Sequence, residues 1–332
     1  MTLPNPRGPI SDFLLGELRS SPHDIGDVPL PTGDGLSNED VHLALYVCYE
    51  LHYRGLDGVD DYWEWEPSLI SVRRSLERHF EEALRGLVAH RSIDAAEIPS
   101  ALLAIARRDA GPSLARYIET TATQDQAREF LIHRSLYHLR EADPHTWAIP
   151  RLTGKPKAAL VEIQMDEYGS GIEERMHSSL FRSSLEAVGL DSRYAAYIDQ
   201  VPGITIAAVN LMSLFGLNRR LRGACMGHLA LFEMTSSEPN RQYATGLRRL
   251  GYGPQATTFF DEHIEADSVH EVIAAHDLAG QLANESDDMA ADILFGAEAL
   301  YLLDEAFARH VIGNWQEGRS SLRQQDAPAI TA

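Results

Sequence analysis

The sequence predicts an all-α protein, one helical domain of roughly ten helices. Two observations carry this. Apolar residues recur at helical spacing, as in Leu69, Val72, Leu76, Phe80, Leu84 and Leu87. No segment alternates apolar and polar residues as a strand would, and no Asn-Gly hairpin signal is present. There is no internal repeat and no low-complexity tract.

Taken in order, residues 1–36 are rich in Pro and Gly and read as an extended arm. Ser37 is placed to cap a helix running to about Arg54. A loop with aromatic residues follows, then a helix from Pro67 to about His90. Shorter helices fit 95–109 and 111–121. Residues 123–141 form a longer one, ended by a loop with Pro144 and Pro150 as breakers. Residues 156–187 read as one helix, bent at Gly169-Ser-Gly171. Further helices fit 191–199, 203–216, 219–235, 239–250, 254–281 and 286–317.

Composition narrows the function classes. The 332 residues suffice to bury a large core without disulfides. Hydrophobic residues make up 44% and charged residues 23%, as in ordinary globular proteins. A net charge of −20 repels phosphate backbones, which argues against nucleic-acid partners. Two cysteines, Cys48 and Cys225, build neither a disulfide framework nor a thiolate metal site. With no signal-like N-terminus and no run of 18 or more apolar residues, a cytoplasmic protein without membrane contact is expected.

The segment with most chemistry is His263-Ile-Glu-Ala-Asp267-Ser-Val-His270. Residues four and seven apart share a helix face, so two imidazoles and a carboxylate project together. That donor set suits iron, manganese or zinc. The competing reading is a solvated face, since Glu262, Glu265 and Glu271 make the segment very polar. Glu233 stands in the apolar run GHLALFEM, where a charge is costly unless paired or metal-bound. Glu167 and His177 lie ten residues apart, with Glu174 giving an E-x-x-H spacing of the kind used by di-iron bundles. The choice between Glu167 and Glu174 stays open. Glu167, His177, Glu233, His263, Asp267 and His270 form the candidate metal set, with Glu129 and Glu174 as additional candidates. The catalytic residues are not identified by these patterns.

The chain resembles the heme-oxygenase-like di-iron oxidases and oxygenases, the branch called iron-containing redox enzymes. The resemblance rests on AALVEIQMDEYGSGIEERMHSSLF, GHLALFEMTSSEPN, GLRRLGYG and FFDEHIEADSVHE, and covers roughly residues 120–320. It implies a seven-helix heme-oxygenase-like bundle, placed over 122–320, with a helical extension over 37–121 packed upon it; residues 321–332 are expected to form a disordered tail. It also implies two iron ions per chain held by the six residues above. Some members add a Glu from the preceding helix, for which Glu129 is the natural match and Glu141 a poorer one. The implied chemistry uses dioxygen to oxidise a small amine, amino-acid-like or fatty-acid substrate, by N-oxygenation or oxidative C–C cleavage. No flavin or ferredoxin motif is present, so an external electron donor is expected, and a homodimer is common among such enzymes. A heme or small-ligand binding protein on the same scaffold is the alternative. It would need one dominant axial His and no group of carboxylates.

Overall fold

Helices in this computed structural model follow the apolar periodicity closely. The structure describes the chain except Asp27, Pro29, Leu30, Thr32, Asp109, Ala110 and residues 324–332, and it does not describe the side chains of 265–269. Among the described residues there are helices and turns but no strand. In order the helices are α1 (Pro9–Glu17), α2 (Glu39–Glu50), α3 (Pro67–Leu87), α4 (Ile98–Ala106), α5 (Leu114–Thr120), α6 (Gln124–His138) and the single turn α7 (Asp143–Thr146). They continue as α8 (Gly154–Glu167), α9 (His177–Ala187), α10 (Gly203–Leu217), α11 (Arg222–Met234), α12 (Ser237–Arg249) and α13 (Pro254–Val272). A π-helical turn, Ile273–Ala279, leads into the short α14 (Gly280–Leu282) and the long α15 (Asp287–Gln316).

The centre of the bundle is the crossing of α11 and α15. Gly227 and Gly296 let the backbones meet there. A Cβ on Gly227 would fall 1.8 Å from the Ile293 carbonyl oxygen, and one on Gly296 1.9 Å from that of Ala224. Around this pair, α10 packs on α2, α12 on α13 and α5, and α9 on α13, while the π turn packs on α8 and α11. Trp63, Phe80, Phe130, Phe181, Phe215, Phe259 and Phe260 are fully buried in the resulting core.

Several expectations need correction. Within the segment read as an extended arm, Pro9–Glu17 is helical and buries Ile10, Leu14 and Leu15, aided by Pro9 in its first turn. The cap of α2 is Asn38 rather than Ser37: its side chain accepts from the backbone N–H groups of Asp40 and Val41. Residues 191–199 are a run of turns with Ala195 at φ 55°, not a helix. The expected helix over 156–187 is two helices, α8 and α9, separated by Tyr168–Met176. Of the expected tail, Ser321 is buried and hydrogen-bonded, while 324–332 lies outside the described residues.

Candidate metal centre

The break between α8 and α9 builds the first half of the site. Gly169 at φ +60° and Gly171 at φ +80° turn the chain back on itself. The fold-back is tight, since a Cβ on Gly169 would lie 2.5 Å from the Arg175 carbonyl carbon. Glu167 ends α8 and His177 begins α9, so the turn brings His177 Nδ1 to 2.9 Å from Glu167 Oε2. A continuous helix would have held them nearly three turns apart.

The other donors come from α6, α11 and α13. Helix α6 ends at His138, and the following turn, with Ala142 at φ 73°, points Glu141 inward. The buried pair of Arg140 and Glu50, 3.3 Å apart, holds this turn against α2. Glu233 sits on the last turn of α11, and His263 and His270 lie on the inner face of α13.

Two overlapping groups result. Ligand atoms of Glu141, Glu167, His177 and His263 all lie within 4.8 Å of one another, as do those of Glu167, Glu233 and His270. Glu167 belongs to both. All six side chains are buried. Burial alone would leave three carboxylates and three imidazoles unfavourable unless they serve one another or a cation.

The hydrogen bonds aim these groups. His263 Nδ1 faces the Phe259 carbonyl oxygen at 2.7 Å, so it carries the proton and Nε2 is left as the free donor atom. His270 Nε2 donates to Asp166 Oδ2 at 3.0 Å, turning Nδ1 toward Glu233. His138 Nδ1 donates to Glu141 Oε1 at 2.9 Å, and the same oxygen lies 3.9 Å from His263 Nε2. Among the described residues, Glu141 Oε2 is buried with no hydrogen-bond partner, while His177 Nδ1 and His270 Nδ1 are buried against the carboxylates of Glu167 and Glu233, at 2.9 and 3.3 Å. Buried carboxylate and imidazole donors that converge in this way are what a metal ion would satisfy. With no cysteine in the group and imidazole mixed with carboxylate, the donors fit iron rather than a structural zinc or magnesium site.

The electrostatics agree. Burial opposes charge on Glu167, but His177, His263 and His270 overcome it and hold the carboxyl down at about 2. Burial likewise opposes the His177 imidazolium, yet Glu167, Glu141 and Glu233 raise it to about 10. Burial works against His270 too, and Glu233 and Asp166 lift it to about 9. Burial pushes Glu141 up to about 7 and raises Glu233. Burial and the neighbouring charge of His177 lower His263. Protons on His177 and His270 thus stand where cations would sit.

A family model described as iron-containing redox enzyme matches residues 128–305, over half of the chain and all six of these residues. The chain belongs to the iron-containing redox enzyme family. The chain is also 26% identical over 209 residues to nitrosourea synthase from Streptomyces achromogenes subsp. streptozoticus. The match covers 61% of the chain and 44% of that relative, so the chain spans less than half the relative's length.

The structure brings Glu167, His177, Glu233, His263 and His270 together. Asp267 lies on α13 between the two histidines, in the stretch 265–269 whose side chains are outside the described residues. Two candidates sit elsewhere. Glu129 Oε2 accepts from Trp315 Nε1 at 2.8 Å and from Ser321 N and Oγ at 2.8 and 2.6 Å, tying α6 to the C-terminal segment. Glu174 is exposed in the turn Glu173–Arg175. The carboxylate from the α6 side is Glu141, which reading the helix through to residue 141 had obscured. Asp166 and His138 were not found from sequence. Their only signals were adjacency to Glu167 and a three-residue spacing to Glu141.

Among the described residues, no helix is long and apolar enough to cross a membrane.

Proposed function

We propose that this protein is a non-heme di-iron oxygenase or oxidase that acts on a small amine or amino-acid-like substrate. The observation that carries the reading is the sharing of Glu167 between the two groups of donors. One carboxylate reaching both groups can hold two cations close together, with Glu141, His177 and His263 on one side and Glu233 and His270 on the other. Asp267, spaced on the same helix, completes the proposed ligand set. Two iron ions bound there would supply the electrons that activate dioxygen.

The chain's own residues do the rest. His138 and Asp166 hold Glu141 and His270 in fixed orientations. The buried aromatic wall of Phe259 and Phe181, packed on His138 and His263, keeps bulk water away from the donors. An external donor returns the electrons, since the chain holds no second redox motif. The named activity of the relative, synthesis of a nitrosourea, supports oxidation at a substrate nitrogen as the first reaction to test.

The experiment is anaerobic loading with Fe(II), followed by dioxygen exposure and an oxygen-uptake screen over amines, amino acids and fatty acids. Two irons per chain and uptake triggered by a nitrogen-bearing substrate support the reading. Iron binding no tighter than to an Asp267→Ala/His270→Ala variant removes it.

A further inference from the structure

We propose that Arg134 and Asp304 form a charge-reading collar on the route to the metal donors, and that they select a substrate with an α-amino-acid head group. The proposal deepens the function given above and rests on that reading for what happens beyond the collar.

The route is a chain of adjoining cavities. An outer cavity of about 500 Å³ is followed by an inner chamber of about 120 Å³. Both are lined by Arg134, Thr235, Pro239, Tyr243 and Asp304, so these residues mark the waist between them. The inner chamber ends on Glu141 and His263, two of the donors. Its walls include Phe130, Phe232 and Phe260.

The charges at the waist are unusual for this wall. The outer cavity has five charged lining residues, and three of them are already ion-paired: Arg108 with Glu298, Glu238 with Arg241, and Glu305 with Arg309. Among the described residues, Arg134 and Asp304 make no ion pair, although each is half-buried. Arg134 comes from α6 and its guanidinium lies over the rings of Phe307 and Phe130, at 5.2 and 5.8 Å. Asp304 comes from α15. The Arg134 guanidinium also donates to the Tyr243 hydroxyl, but neither Arg134 nor Asp304 has a counter-ion, and each half-buried charge is one that a ligand of opposite charge can neutralise.

A ligand carrying a carboxylate for Arg134 and an ammonium for Asp304 meets both needs at once. The α-amino-acid head is the smallest group that does so. Arg is also suited to the carboxylate by its planar fork of donors. The side chain of such a ligand points through the waist into the aromatic chamber. That chamber leads the side chain to Glu141 and His263 at its inner end. The head is thereby held away from the donors, and the side-chain terminus is delivered to them. A fatty acid meets only Arg134, and a simple amine only Asp304.

The test is a binding experiment on the metal-free protein, so that it does not depend on turnover. The twenty L-amino acids are screened by calorimetry. Each binder is then compared with its decarboxylated amine and its deaminated acid. The expected result is a binder whose affinity falls at least about tenfold when either head group is removed, a loss of roughly 1.4 kcal/mol. Arg134→Gln should erase the preference for the carboxylate and leave amine affinity unchanged. Arg134→Lys should restore part of that preference. Asp304→Asn should erase the preference for the ammonium. All three variants should bind iron in the wild-type ratio and keep the wild-type melting temperature. The proposal is overturned if no amino acid binds, or if the binder is indifferent to either head group or to Arg134→Gln. Wild-type protein that loads two irons while binding no amino acid removes the collar and leaves the di-iron reading. Protein that binds an amino acid as described yet loads no iron keeps the collar and removes that reading.

Discussion

His138 Nδ1 donates to Glu141 Oε1 across 2.9 Å, with both side chains buried. Burial keeps His138 neutral, well below its ordinary titration range. One N–H is therefore fixed on one carboxylate oxygen while the other oxygen is left without a partner inside the cluster. Replacing His138 with Phe should lower iron affinity on the Glu141 side by about 10- to 100-fold, as is usual when a ligand loses its orienting bond. Titration with Fe(II) in the absence of oxygen reads this directly. The Glu233–His270 side should be unchanged.

Glu129 and Glu141 stand twelve residues apart in sequence and do different work. Glu141→Gln should reduce iron binding. Glu129→Gln should leave iron binding intact and instead loosen the C-terminal segment, because Ser321 and Trp315 both depend on its carboxylate. The loss of a charge-assisted bond of this kind is worth about 1.5–3 kcal/mol. Urea denaturation and iron titration on both variants separate the two roles.

The fold-back after α8 gives a paired test. Gly169→Ala puts a methyl group 2.5 Å from backbone in a left-handed conformation, so it meets both a clash and a strain of about 1–2 kcal/mol. Gly171→Ala has the strain alone, with nothing within 4 Å of the new Cβ. Gly169→Ala should lower the melting temperature more and should also separate Glu167 from His177, weakening iron binding. Equal effects of the two substitutions on iron would contradict this view of the turn.

Acid should destabilise the metal-free protein through histidines outside the cluster. Burial lowers His42 to about 4 and His133 to about 3, against an ordinary value near 6.5. Both are neutral in the fold, with His42 bonded to the Gly35 carbonyl and His133 placed between Thr205 and Ser321. Below pH 6.5 the unfolded chain takes up protons that the folded chain does not. Stability from these groups is complete above pH 6.5 and falls as pH drops toward 4, by up to about 1.4 kcal/mol per pH unit for each imidazole. Urea midpoints between pH 4.5 and 7.5 should therefore fall less steeply in a His133→Gln variant than in the wild type. Identical slopes would show that His133 is not buried as a neutral group.

The fold was largely legible because helical periodicity is a local signal. Leu69 to Leu84 on α3 and the long α15 are written in their own apolar spacing. What was not legible depended on contacts distant in sequence. The burial of α1, the turns over 191–199 and the replacement of Ser37 by Asn38 as a cap were decided by tertiary packing and backbone conformation. In the candidate site, His263 and His270 share a face because α13 is regular. Glu233 stood out as a carboxylate in an apolar run. Glu141 did not, because its inward direction comes from a turn with Ala142 at positive φ rather than from helix phase. The pairing of Glu167 with His177 had the same origin in the glycine turn.

In the proposed site Glu167 serves two metal positions at once. Iron stoichiometry after anaerobic Fe(II) loading, compared between wild type, Glu233→Ala and Glu167→Ala, tests it most directly, with circular dichroism confirming that each variant is folded. The wild type should hold two irons per chain, Glu233→Ala about one, and Glu167→Ala none. A Glu167→Ala protein that keeps either iron at wild-type affinity would contradict it.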